Sequence, residues 1–98
     1  MKSFKEYIRE LAMKDYRKTK AYQAISSISD EAGEPGMEND VEVDGEPSTI
    51  KKAMEKFKPS SVTLGRYKDI YRFSDSVVYV DKQQRAGTKI NLLYYEIS

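Results

Sequence analysis

Two stretches of this 98-residue chain hold side chains whose type and spacing suit chemistry. In the first, Asp40, Glu42, Asp44 and Glu46 place a carboxylate at every second position. In the second, Arg66-Tyr67-Lys68-Asp69-Ile70-Tyr71-Arg72-Phe73 interleaves cations with rings. Alternate oxygen ligands with glycine at the sixth position open a calcium loop, and Asp40 to Gly45 has that form. The twelfth loop position needs a bidentate Glu but is Lys51, and the eighth is Pro47, so no calcium site is expected. The acidic strip suits a solvated loop, or a row of charges imitating nucleic-acid phosphates for the basic surface of a partner. The interleaved run suits single-stranded nucleic acid. The rings of Tyr67 and Tyr71 would stack on bases while Arg66, Lys68 and Arg72 hold phosphates. A half-buried strand gives the same alternation without any ligand.

Catalysis has little to work with. The chain has no cysteine and no histidine. Thiol nucleophiles, disulfides and zinc–thiolate sites are therefore excluded, and the commonest general base is missing. Paired carboxylates occur only in the acidic stretch, where a flexible loop would not hold them for general acid–base work. We expect no catalytic residues, no metal ligands, no cofactor and no enzyme. No run of about eighteen apolar residues exists, so no membrane partner is expected. The lysine-bearing N-terminus lacks the continuous apolar region of a secretory signal.

The net charge of +1 conceals a segregated chain. Residues 1–28 carry seven basic side chains against three acidic ones. Residues 29–47 carry eight carboxylates and no basic residue, and residues 48–98 carry ten basic against five acidic groups. Such a chain neutralises itself by folding back, or offers opposite signs to different partners.

The elements that must position these groups follow from periodicity. The pattern predicts an α+β fold in a single small domain over residues 1–98. It has a helical region at 1–28, an acidic flexible loop at 29–47, a short central helix at 48–58 and an antiparallel β meander at 62–98. Ser3 with Glu6 forms a capping-box pattern, and Phe4, Tyr7, Ile8, Leu11 and Ala12 make one apolar stripe, predicting a helix from Ser3 to about Tyr16. A second amphipathic piece covers about Lys18–Ile28, with Ala21, Tyr22, Ala24, Ile25 and Ile28. Ser48 is an N-cap for a helix running to about Lys58, where Pro59 ends it. Val41 and Val43 have the makings of a brief edge strand, and Val62-Thr63-Leu64 reads as a short strand. Branched and aromatic residues then mark three runs, Asp69–Phe73, Ser76–Asp81 and Lys89–Ile97, separated by Ser74-Asp75 and by Lys82–Gly87. The expected sheet is antiparallel with three to four strands. In its last run Ile90, Leu92 and Tyr94 share one face while Leu93, Tyr95 and Ile97 share the other. A strand apolar on both faces is covered on both or forms an interface.

The N-terminus Met1-Lys2-Ser3-Phe4-Lys5-Glu6-Tyr7-Ile8-Arg9-Glu10 resembles the leader of internal head proteins of T-even-like tailed phages. The resemblance covers about ten of the 98 residues. It implies a targeting helix that takes the protein into the prohead, with Phe4, Glu6, Tyr7, Ile8 and Glu10 as its signature residues. It also implies a maturation cut after the Ile8-Arg9-Glu10 triplet, although Leu11 stands where the family prefers a small residue. The expected function is that of a small non-enzymatic phage protein packaged in or associated with the virion head. Its partners would be phage capsid or scaffold proteins and, after delivery into the host cytoplasm, a host protein such as a defence factor that it inhibits. The alternative is a small nucleic-acid-binding regulator that uses the basic, aromatic β surface.

Overall fold

Thr88–Ile97, the strand apolar on both faces, lies inside a sheet rather than at its edge. A computed structural model describes residues 3, 4, 6, 15–85 and 88–98. Its strands in chain order are β1 (Val41–Asp44), β2 (Ser61–Leu64), β3 (Lys68–Arg72), β4 (Ser76–Arg85) and β5 (Thr88–Ile97). Two helices accompany them, α1 (Lys20–Ser26) and α2 (Pro47–Glu55). The fold is α+β, with one antiparallel sheet in the order β1-β5-β4-β3-β2. Strands β2 to β5 form the meander, and β1 joins it at the β5 edge, so α2 connects one edge strand to the other.

Two expectations about the sheet need correction. It has five strands, not three to four, because β1 is a full member pairing Val41 with Leu93 and Val43 with Asn91. The segment expected as a flexible acidic loop thus contains, at its sheet edge, the brief strand that Val41 and Val43 indicated. Its carboxylates do not prevent pairing, since Glu42 and Asp44 alternate to the exposed side while Val41 and Val43 turn inward. Gly45 N–H donates to Lys89 O at 2.9 Å, and Asn91 Nδ2 donates to the carbonyls of Val43 and Gly45. Upstream, Gly36 N–H donates to Tyr95 O, and Tyr95 Oη donates to Gly33 O at 2.6 Å. Of the polar break expected at Lys82–Gly87, residues 82–85 are also strand, and residues 86 and 87 lie outside the described residues. Register continues through Lys82–Asn91 and Gln83–Ile90 to Arg85–Thr88, because ladder pairing with β5 outweighs the polar composition of β4.

The helical expectations shift at their ends. Phe4 and Glu6 are helical, and Glu6 N–H donates to Ser3 Oγ at 3.2 Å, one half of the capping box. The rest of the predicted first helix, from Tyr7 to Lys14, lies outside the described residues. It does not include Tyr16, which opens a separate 3-10 turn, Tyr16–Lys18. Thr19 then takes extended geometry and caps α1, accepting a hydrogen bond from Tyr22 N–H. Two groups distant in sequence complete that helix start. Asp75 accepts from Lys20 N–H, and Ser76 Oγ accepts from Ala21 N–H at 3.0 Å. Helix α2 begins one residue before the expected Ser48 cap, because Pro47 occupies the first turn. Glu46 stands at the cap position without a capping bond, its carboxylate being paired with Lys89. The helix stops at Glu55, short of Lys58, which adopts a positive φ of 55° before Pro59.

One face of the sheet meets both helices. Ala21, Ala24 and Ile25 from α1 and Ile50 and Met54 from α2 pack on Val41, Tyr71, Phe73, Val78, Val80, Leu93, Tyr95 and Ile97. Burial of these apolar side chains drives the association of helices with sheet. Tyr16, Tyr22 and Tyr95 meet edge to face along one border of this layer, with centroids 5.6 and 6.4 Å apart. Asp69 and Lys82, both largely buried, form an ion pair at 2.9 Å. They also bind the β2–β3 turn: Asp69 accepts from Gly65 N–H, and Lys82 Nζ donates to Gly65 O. A Cβ at Gly65 would lie 2.5 Å from the carbonyl of Lys68, so the turn requires glycine.

Candidate interaction face

Alternation along the strands assigns every second residue to the face away from α1 and α2. Register then aligns those residues in rows. Thr63, Ile70, Tyr79 and Tyr94 form one row across four strands. Lys68, Asp81, Leu92 and Glu42 form the next. Val77 lies between Arg72 and Glu96, and Ile90 lies opposite Asp44. The centre of this face is therefore aliphatic and aromatic: Ile70, Val77, Tyr79, Ile90, Leu92 and Tyr94. All but Tyr94 are half-buried, and no described helix packs on them.

Tyr79 and Tyr94 are stacked, with centroids 4.9 Å apart and planes inclined by 16°. Lys68 Nζ sits over both rings at 5.8 and 5.6 Å and donates to Tyr94 Oη at 3.2 Å. The hydrogen bond to Tyr94, helped by the tyrosine and by Asp81, raises the pKa of the Lys68 ammonium above its ordinary value. Lys68 is therefore a cation bound to its own tyrosines. Arg72 donates from Nη1 to Thr63 Oγ1 at 3.1 Å. Charge is divided across the face. Lys68 and Arg72 lie on β3, whereas Glu42 and Asp44 on β1 and Glu96 on β5 make the opposite side acidic.

The structure separates residues that looked contiguous in the chain. Of the expected leader signature, Phe4 and Glu6 are described and exposed, while Tyr7, Ile8 and Glu10 lie outside the described residues. The acidic strip divides. Glu42 and Asp44 flank the open face, Asp40 precedes β1, and Glu46 pairs with Lys89 at the start of α2. The basic, aromatic run divides too. Arg66 and Tyr67 are exposed in the β2–β3 turn, with the guanidinium 5.3 Å from the ring. Lys68 and Arg72 reach the open face. Tyr71 does not: it is fully buried beneath the helices, so its ring cannot stack on a base. Alternation is the reason, since Tyr71 and Arg72 leave opposite sides of β3.

Reading the run as a linear motif missed Tyr79, which register places against Tyr94, as well as Ile70 and Val77. The usable signal was the two-faced pattern of β5, which already grouped Ile90, Leu92 and Tyr94. Their partners on β4 required the hairpin register. No group of three or more acidic side chains among the described residues is placed to hold a metal ion. The arrangement offers apolar contact with charged margins of opposite sign, which is a chemistry of binding. Comparison with protein-family models, with curated proteins and with solved structures finds no match.

Proposed function

We propose that this chain is a small non-enzymatic phage protein carried in the virion head, whose sheet binds a host protein after delivery and inhibits it. The head location rests on the resemblance of residues 1–10 to prohead-targeting leaders. The binding role is carried by the open sheet face, where six large apolar and aromatic side chains from three strands lie side by side. A contiguous, half-buried apolar surface that no described helix covers suits an interaction site. Glu42, Asp44 and Glu96 supply an acidic margin that selects a partner with a basic surface. The experiment is mass spectrometry of purified particles of the encoding phage, with the full chain and a form starting at Leu11 expressed in the infected host. The full chain is expected inside particles, and the shortened form is expected to fold but to be excluded. Equal packaging of both forms, or absence of the chain from particles, rejects the head reading. Leu92→Glu is expected to abolish host-protein binding with the fold intact, and unchanged binding rejects the role of the face.

A second reading, a nucleic-acid-binding regulator, is favoured by one observation: Lys68 and Arg72 share the open face with the Tyr79–Tyr94 pair. The acidic β1 side works against it, as does Tyr94, only 8% exposed and engaged by Lys68. This reading requires binding of a single-stranded oligonucleotide that weakens steeply with salt, through release of counterions from phosphates.

A further inference from the structure

We propose that the chain forms a closed two-fold dimer through its edge strand β2, joining two sheets into one of ten strands. Gly65 N–H donates to Lys68 O, which makes that pair a hydrogen-bonded one. By alternation along the antiparallel ladder, Thr63–Ile70 and Ser61–Arg72 are the next such pairs. The backbone donors and acceptors of Val62 and Leu64 therefore point outward from the edge. All four β2 residues are exposed and none is charged, so the edge lacks the charges that commonly block edge-to-edge pairing.

The geometry points to a second copy rather than a foreign strand. Placing the two-fold axis beside Thr63 sets Val62 against Leu64 of the second copy, and Leu64 against its Val62. All outward groups of both residues are then satisfied. Val62 and Leu64 are 37% and 56% exposed although their side chains lie on the helix-bearing face. The pairing places these four apolar side chains against one another and keeps both helix layers on the same side. Thr63 meets its own copy across the axis on the open face, a favourable cross-strand pair.

The other edge does not compete. On β1 the pair Gly45–Lys89 is hydrogen-bonded, so Glu42 and Asp44 carry the outward backbone groups. A β1–β1 contact would oppose carboxylate to carboxylate, and a β1–β2 contact would set those carboxylates directly against Val62 and Leu64. The self-pairing of β2 is the combination that avoids both, and it closes. Four-residue strands bury less than the roughly 1,200 Å² of a standard specific interface, so association belongs to high protein concentration.

Sedimentation equilibrium of the full chain tests this. The apparent mass is expected to approach twice the monomer value between micromolar and millimolar concentration, while Val62→Lys with Leu64→Lys holds it at one at every concentration. Amide exchange at Val62 and Leu64 should slow as the dimer fills. Thr63→Cys supplies a register test, because this chain has no cysteine of its own. The two Cα atoms would be about 4.5 Å apart in a non-hydrogen-bonded pair, within disulfide reach. Mild oxidation is expected to cross-link Thr63→Cys but not Glu42→Cys. A monomer at millimolar concentration, open-ended oligomers, or equal cross-linking by both variants overturns the proposal.

Discussion

Leu92→Ala and Leu93→Ala make the same chemical change one residue apart, and the fold requires them to differ. Leu93 is completely buried among Val80, Val41 and the side chains of both helices, whereas Leu92 lies half-buried on the open face. Truncating Leu93 removes the transfer free energy of its methyl groups and leaves a cavity that two helices and three strands cannot close. Core changes of this kind cost about 3–5 kcal/mol. Leu92 loses contact with its neighbours but leaves no enclosed cavity, so its cost should be about 1 kcal/mol. Against a total stability of roughly 5–15 kcal/mol, the difference decides whether the protein remains folded when warmed. Urea unfolding followed by circular dichroism gives the comparison directly. With an m-value of about 1–1.5 kcal/mol/M, Leu93→Ala should lower the midpoint by about 2–5 M and Leu92→Ala by about 1 M or less. The slopes should agree, because both variants expose nearly the same surface on unfolding. Equal losses at the two positions would show that the Ile90–Leu92–Tyr94 face is as enclosed as the core, and the reasoning behind the interaction face would fail.

Burial pushes the Tyr71 hydroxyl up to about 12, with Asp69 and Glu55 acting in the same direction, and burial likewise raises Tyr95. The unfolded chain loses the Tyr71 proton near pH 10, so above that pH the folded state holds more protons and stability falls. Tyr71 alone is expected to account for a loss of roughly 3 kcal/mol between about pH 10 and 12, and Tyr71→Phe should remove that share in a pH series of urea midpoints while the share of Tyr95 persists. Lys82→Ala leaves Asp69 as an uncompensated buried charge and should cost about 3–5 kcal/mol, while Asp69→Asn with Lys82→Met should recover most of it. A double variant as unstable as the single one would refute the charge argument. Replacing Asp40, Glu42 and Asp44 together by their amides should change stability by less than about 1 kcal/mol, since all three are exposed. The same change should weaken partner binding, read by titration calorimetry, if the acidic margin selects a basic surface.

Local chemistry was legible from the chain alone. The Ser3–Glu6 pattern gives a bond in the fold, β2 lies where Val62-Thr63-Leu64 indicated, and α2 carries Ile50, Ala53 and Met54 on its buried side. The division of β5 into Leu93–Tyr95–Ile97 and Ile90–Leu92–Tyr94 also followed from period two, which is a property of any extended chain. What periodicity cannot supply is which residue of another strand stands opposite. Tyr79 meets Tyr94 only because β4 and β5 pair along ten residues, including a polar portion whose composition argues for a break. Tyr71 looked like part of a nucleic-acid surface because its neighbours are basic. Helix packing made it core instead, since neither period nor propensity says which side of a strand the helices will cover. The α1 start is a contact of the same kind, with Asp75 and Ser76 serving donors fifty-five residues away. Short-range patterns reflect backbone geometry and solvent contrast, which act within a few residues. Register, covered face and distant caps depend on closing long loops and burying whole surfaces at once, and those energies exist only in the assembled sheet.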